Sequence, residues 1–109
     1  MKYTIRITRQ AHEQLLEIKR YISQELSAPD AALNTIRAIR AEIAKLNDRP
    51  TKFGTIDEEP WKSAGFRKIR VKNYYVYFWV DEENRRVQVT AVIYVRREQF
   101  RQLTGTWKE

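Results

Sequence analysis

Polar and apolar residues alternate near the start of the chain: Tyr3, Ile5 and Ile7 fall on one face of a short strand, with Thr4, Arg6 and Thr8 on the other. From Arg9 the period lengthens. Ala11, Leu15, Ile18, Ile22 and Leu26 recur at helical spacing while Glu13, Glu17, Lys19, Arg20 and Gln24 take the opposite side, which predicts an amphipathic helix with Thr8 as its N-cap. Ser27-Ala28-Pro29-Asp30 breaks the pattern, and Pro29 suits the first turn of a second helix. That helix carries Ala32, Ile36, Ile39, Ile43 and Leu46 as its stripe, through to Asn47-Asp48. Such a pair forms an antiparallel hairpin that must lay its apolar side on a sheet.

Periodicity is lost between Arg49 and Gly65, where Pro50, Gly54, Pro60 and Gly65 punctuate a segment that includes Asp57-Glu58-Glu59. Two readings of it stand: a surface connection anchored by Phe53 and Trp61, or a functional loop. Strand patterns then resume. Ile69 and Val71 alternate with Lys68, Arg70 and Lys72, which gives one buried and one basic face. Tyr74 to Val80 is apolar or aromatic throughout and reads as a central strand, with Val76, Phe78 and Val80 on one side and Tyr75, Tyr77 and Trp79 on the other. After a turn at Asp81-Glu82-Glu83-Asn84, Val87, Val89, Ala91, Ile93 and Val95 are expected to continue the core face while Gln88, Thr90, Val92 and Tyr94 face away. A short helix with Phe100 and Leu103 and a tail from Thr104 to Glu109 are expected beyond Arg96-Arg97.

Composition narrows the function. At 109 residues and 42% apolar content the chain holds one core, so 1–109 reads as a single domain. The absence of cysteine and the single histidine, His12, exclude disulfides and the usual Cys/His zinc sites and fit a reducing setting. His12 itself reads as a surface residue. No apolar run is long enough for a signal peptide or a membrane span, so a soluble, unprocessed, cytoplasmic protein is expected, without membrane binding. The net charge is +7, and Phe66 to Arg97 holds eight Lys/Arg against three Asp/Glu, so +5 of it lies on and beside the strands. That concentration points to a polyanion, either nucleic acid or an acidic protein. With the hairpin on one face, the other is expected to carry Lys68, Arg70, Tyr75, Tyr77, Trp79 and Tyr94, a surface able to bind phosphates and stack bases or to be covered by a partner. No Ser/His/Asp or Cys/His constellation, metal cluster or Gly-rich phosphate loop is present, so no cofactor is expected.

Short motifs add a family resemblance. Gly65-Phe66-Arg67 followed by Val71-Lys72-Asn73-Tyr74 and Val76-Tyr77-Phe78 resembles the "G-x-R … V-x-x-Y-x-V-x-Y" pattern of the RelE/ParE superfamily, toxins of bacterial type II toxin-antitoxin systems that include the plasmid stabilisation family. Val92-Ile93-Tyr94-Val95-Arg96-Arg97-Glu98 is similar to its "V-L-H-G-R-R-D" signature, and the resemblance runs from about Tyr3 to Arg97. It implies an α+β fold in the order β-α-α-β-β-β(-α), a helical hairpin packed on a mostly antiparallel four-stranded sheet. It also implies a growth-inhibiting toxin and a cognate antitoxin, acidic in its toxin-binding segment.

RelE-like members cleave ribosome-bound mRNA, whereas ParE-like members inhibit DNA gyrase without cutting RNA. Metal-independent cleavage needs the 2′-hydroxyl activated, the phosphate charge stabilised and the leaving oxygen protonated. Carried onto this chain, those roles fall to Arg67, Arg70, Tyr94, Arg96 and Arg97, with Lys68, Lys72, Tyr75, Tyr77 and Trp79 as target or nucleic-acid contacts. Tyr75 stands where RelE-like enzymes carry an arginine in "Y-R-V-x-Y", and Tyr94 where the terminal signature has histidine. Both departures remove expected catalytic groups, so a ParE-like gyrase inhibitor is favoured over a ribosome-dependent mRNA endoribonuclease, with a non-toxic partner-binding member as a third reading. Structural roles compete residue by residue. Arg67 can bind loop carbonyls or a carboxylate; Arg96 and Arg97 can cap the last strand or pair with Glu98 or Asp57 to Glu59; Tyr75, Tyr77 and Trp79 can be core or antitoxin contacts.

Overall fold

Thr8 starts the first helix as the pattern predicts, its hydroxyl accepting the Ala11 N–H at 3.2 Å. The computed structural model describes residues 2–97, and the helix and tail expected beyond Arg97 lie outside them. Strand β1 (Thr4–Ile7) leads into α1 (Arg9–Arg20). A π-helical turn, Tyr21–Glu25, replaces the last turn expected of α1. Its extra residue per turn keeps Ile22 buried but turns Tyr21 and Leu26 outward, so Leu26 leaves the apolar stripe on which its spacing placed it. Ser27 ends this segment at a φ of 50°, and α2 (Pro29–Ala44) begins with Pro29 at its first turn. A 3-10 turn, Lys45–Asn47, carries Leu46 into the core.

Strands β2 (Phe66–Val71), β3 (Tyr74–Asp81) and β4 (Arg86–Tyr94) complete a sheet in the order β1-β4-β3-β2. β1 runs parallel to β4 and the other pairs are antiparallel, the α+β arrangement expected. The hairpin of α1 and α2 packs on one face. There Ala11, Leu15, Ile39, Ile43 and Leu46 meet Val71, Val76, Phe78, Val87, Val89 and Val92.

One irregularity redirects the end of β4. Tyr77 pairs with Ala91 while Phe78 pairs with Val89, which leaves Thr90 as an extra residue, a β-bulge. The alternation expected along β4 therefore inverts after Val89. Val92 and Tyr94 face the helices, and Ala91 and Ile93 face the other way, opposite to the sequence expectation. The N-cap Thr8 and two side chains of α1 hold the bulge. The Thr8 hydroxyl and the Gln10 carboxamide both donate to the Thr90 carbonyl, at 3.3 and 3.1 Å, and the Gln14 carbonyl oxygen accepts the Val92 N–H at 2.8 Å. These contacts satisfy backbone groups that the disrupted ladder leaves unpaired.

The segment from Arg49 to Gly65 closes the second face of the sheet. Phe53 packs edge-to-face on Phe78 on the helix side, with ring centroids 6.2 Å apart. The chain then crosses the β2 edge, where Thr55 bridges Arg67 and the Ile56 N–H donates to the Phe66 carbonyl at 2.8 Å. Beyond the edge, Ile56 and the single turn α3 (Trp61–Ala64) cover Phe66, Tyr77, Ala91 and Ile93. Gly65 ends α3 at a φ of 86°, a left-handed conformation that leads directly into β2. This face is a second core, not the open aromatic platform expected, and Tyr77 is fully buried in it.

Candidate target-binding surface

The residues singled out in the sequence fall into three separate environments. Arg67 points to the helix side at the β2 edge, where its guanidinium donates to the Phe53 carbonyl and, at 3.4 Å, to that of Thr51. Its Nε is buried without a hydrogen-bond partner. Of the roles open to Arg67, the binding of loop carbonyls is the one the geometry realises, and it fastens the Pro50–Lys52 turn to the sheet.

Lys68 and Arg70 project from the opposite face. The Lys68 ammonium sits 4.3 Å from the Tyr75 ring centroid and 5.9 Å from that of Tyr77, a cation–π arrangement that covers part of this core. Arg70 is exposed, and its Nε donates to the Lys72 carbonyl at 2.9 Å. Tyr75 and Trp79 are half-buried, so neither offers a free ring face like the one a base-stacking platform needs.

Tyr94 lies across the sheet from Lys68 and Arg70, because the bulge turned it. It packs on Tyr74 with centroids 5.7 Å apart, and both line a groove of about 640 Å³ between the β3–β4 end of the sheet and the first helix. Ile18, Tyr21, Ile22 and Leu26 form the helical wall, and Lys72 and Asn73 form the rim at the β2–β3 turn. Tyr21, Leu26 and Tyr94 are each at least about a third exposed there, at 49%, 56% and 36%. Arg96 is exposed in the next turn, Val95–Arg97, which the Val95 N–H ties to the Asn73 carbonyl at 2.9 Å. The Arg97 side chain is outside the described residues.

The groove thus joins Lys72 and Tyr94, with the Arg96 turn following Tyr94 in the chain, while Lys68 and Arg70 lie on the other side of the sheet and Arg67 is engaged at its edge. Sequence reasoning missed Tyr21 and Gln14 as groove residues. A polar pair, Gln10 and Gln14, four residues apart beside the apolar stripe was the available signal. The Glu59 carboxyl is held below its usual value by hydrogen bonds from the Ser63 side chain and backbone, and that of Asp81 by hydrogen bonds from the Asn84 side chain and backbone. Among the described residues, no three His, Cys, Asp or Glu side chains gather where they could hold a metal, and no helix is long and apolar enough to cross a membrane.

Comparison with known proteins agrees with this architecture. In the solved structures, a chain of the chromosomal ParDE system from P. aeruginosa superposes with a TM-score of 0.71 at 20% identity, over 86% of this chain and 97% of that one. A chain of the RelBE2 toxin-antitoxin complex from Mycobacterium tuberculosis gives 0.63 at 20% identity, over 86% and 99%. One of the archaeal RelE-RelB complex from Pyrococcus horikoshii OT3 gives 0.58 at 19%, over 90% and 100%. At these identities the likeness shows the fold. No relative is found among the curated proteins. The sequence from residue 5 to residue 99 matches the family described as the ParE toxin of the type II toxin-antitoxin system, parDE. With the motifs, the sheet order and that match in agreement over most of its length, the chain belongs to the ParE toxin family of type II toxin-antitoxin systems.

Proposed function

We propose that the protein is a toxin that inhibits DNA gyrase and that a cognate antitoxin neutralises it by filling the groove beside Tyr94. One observation supports the choice of gyrase over messenger RNA: of the groups assigned to a metal-independent ribonuclease, Arg67 and Arg70 are held away from Tyr94 and the Arg96 turn. Tyr94 and Lys72 border the groove, Lys68 and Arg70 lie on the far side of the sheet, and Arg67 is committed to the Thr51 and Phe53 carbonyls. Proton transfer and charge stabilisation at one phosphate require donors within about 3 Å of the same reacting atoms.

The groove supports the antitoxin assignment. Its exposed Tyr21, Leu26 and Tyr94 offer apolar anchors, and Lys72 at the rim favours an acidic segment. Such a segment, unstructured alone, would fold as an amphipathic helix against these residues. The RelBE2 structure, which shares the fold, is that of a toxin-antitoxin complex, and the RelE-RelB structure is likewise that of a complex.

The test adds purified protein to gyrase in a supercoiling assay and, in parallel, to ribosomes translating a defined mRNA. Blocked supercoiling with intact transcript is expected. Transcript cleavage that Arg96→Ala abolishes would overturn the gyrase assignment; inertness in both assays would make the chain a binding protein only. Leu26→Glu is expected to weaken antitoxin binding by at least about tenfold, the loss of one buried apolar anchor.

A further inference from the structure

The second core occupies only half of its sheet face. Ile56, Trp61 and Ala64 cover β2, β3 and the Ala91–Ile93 end of β4, whereas Thr4 and Arg6 of β1 and Arg86 at the start of β4 are exposed. There the parallel pairing sets Arg6 beside Gln88 and Thr4 beside Arg86, and Arg6 and Arg86 are exposed. Arg6, Arg9 and Gln88 line a shallow polar depression of about 280 Å³ with Ile7 and Thr8.

None of the three guanidinium groups makes an ion pair with a described residue. Among the described residues the ion pairs are Glu17–Arg20 and Glu42–Lys45, both on the helices and away from this face. Asp81, the register partner of Arg86, has its carboxylate oxygens engaged by the Asn84 backbone and side chain, and Arg86 adds only a weaker attraction from beyond ion-pair distance. Glu13, one turn along α1 from Arg9, makes no ion pair. The start of α1 offers nothing further, because the Thr8 hydroxyl already accepts from Ala11 and donates to Thr90.

We propose that this face, with Arg6, Arg9 and Arg86 as its charges, binds the phosphate backbone of double-stranded DNA. Exposed cations without ion-pair partners on one face match a dense row of phosphates, and duplex DNA carries one charge per about 1.7 Å of axis. The aromatic inventory selects the duplex over a single strand. Base stacking requires exposed rings, but Tyr77 is fully buried, Tyr75 lies under Lys68, and Trp79 at the border of the face is half-buried. Arginines without a stacking platform contact backbone and leave the bases unread. The assignment is independent of gyrase inhibition, because it concerns naked DNA.

The experiment measures binding of the full-length protein to a short labelled duplex of mixed sequence over a salt series. With three phosphate contacts, log K is expected to fall against log salt with a slope near about −3. Arg6→Gln/Arg86→Gln and Arg6→Glu/Arg86→Glu are each expected to bring the slope about two units closer to zero and to weaken low-salt binding by about tenfold or more. Arg37→Gln/Arg40→Gln, on the exposed side of α2, removes as much charge as the first pair and is expected to leave the slope unchanged. An equal loss in this control would reduce the effect to net charge and overturn the site. So would unchanged binding in the Arg6/Arg86 variants, tighter binding of single-stranded RNA of equal length, or displacement of the duplex by polyglutamate at equal charge.

Discussion

On the helix side of the sheet, valines and Phe78 meet the aliphatic stripes of two long helices; on the other, Phe66, Tyr77, Ala91 and Ile93 meet Ile56 and Trp61 from a segment with almost no regular structure. The same strands supply both faces, so strand sequence alone does not explain the difference. Helices bring an apolar side chain every turn and can cover a broad face with small contributions from many residues. An irregular segment brings few, and compensates with large rings packed on a few points and with tethers at its crossing of the sheet edge. The loop face therefore depends on single residues far more than the helix face does.

The largest test of that contrast is Phe66→Ala. It should destabilise the protein by about 3–5 kcal/mol, measured by urea denaturation. A loss below about 1 kcal/mol would show that the loop cover contributes little. Next in size, Arg67→Ala leaves the Thr51 and Phe53 carbonyls without their donor and should cost about 1–3 kcal/mol. Faster amide exchange across residues 50–56, with unchanged exchange in α1, distinguishes a loop tether from a general effect. Gln14→Ala unpairs the Val92 N–H and should cost about 1 kcal/mol, with line broadening confined to the Thr90–Tyr94 region in NMR spectra. Uniform broadening would place the role of Gln14 elsewhere.

The smallest expected effect is a pH dependence. Hydrogen bonds from Asn84 lower the folded-state pKa of Asp81, so its contribution is fully present above the unfolded carboxyl value and is lost as pH falls through the depressed folded one. Asp81→Asn should therefore flatten the acid limb of the stability curve below about pH 4 and leave stability differences near neutrality independent of pH. A variant whose acid limb matches that of the parent would remove Asp81 from the account.

The sequence spelled out the helix-side face almost residue by residue. Thr8, Pro29 and the stripe from Ala11 to Ile22 act locally, through a cap, a fixed φ and a period of 3.6, and each is found where its pattern put it. Leu26 departed because a π-helical turn changes the period without any proline or glycine to announce it. The candidate site was legible in composition and poorly legible in geometry. Arg70 and Arg96 are exposed as their residue types predict, but Lys68 is half-buried over tyrosine rings, Tyr77 is core, Arg67 is a tether, and Tyr94 is on the other side of the sheet.

Element order, the concentration of charge and family membership were determined by the sequence alone, because periodicity and short motifs carry them. Which face each side chain of β4 occupies was decided only in the tertiary structure. The Thr90 bulge inverts the alternation, and the groups that hold it there, Thr8 and Gln10, lie 82 and 80 positions away in the chain. No local pattern encodes such a contact, so the separation of Tyr94 from Lys68 and Arg70, on which the choice of target rests, becomes visible only once the sheet and α1 have met.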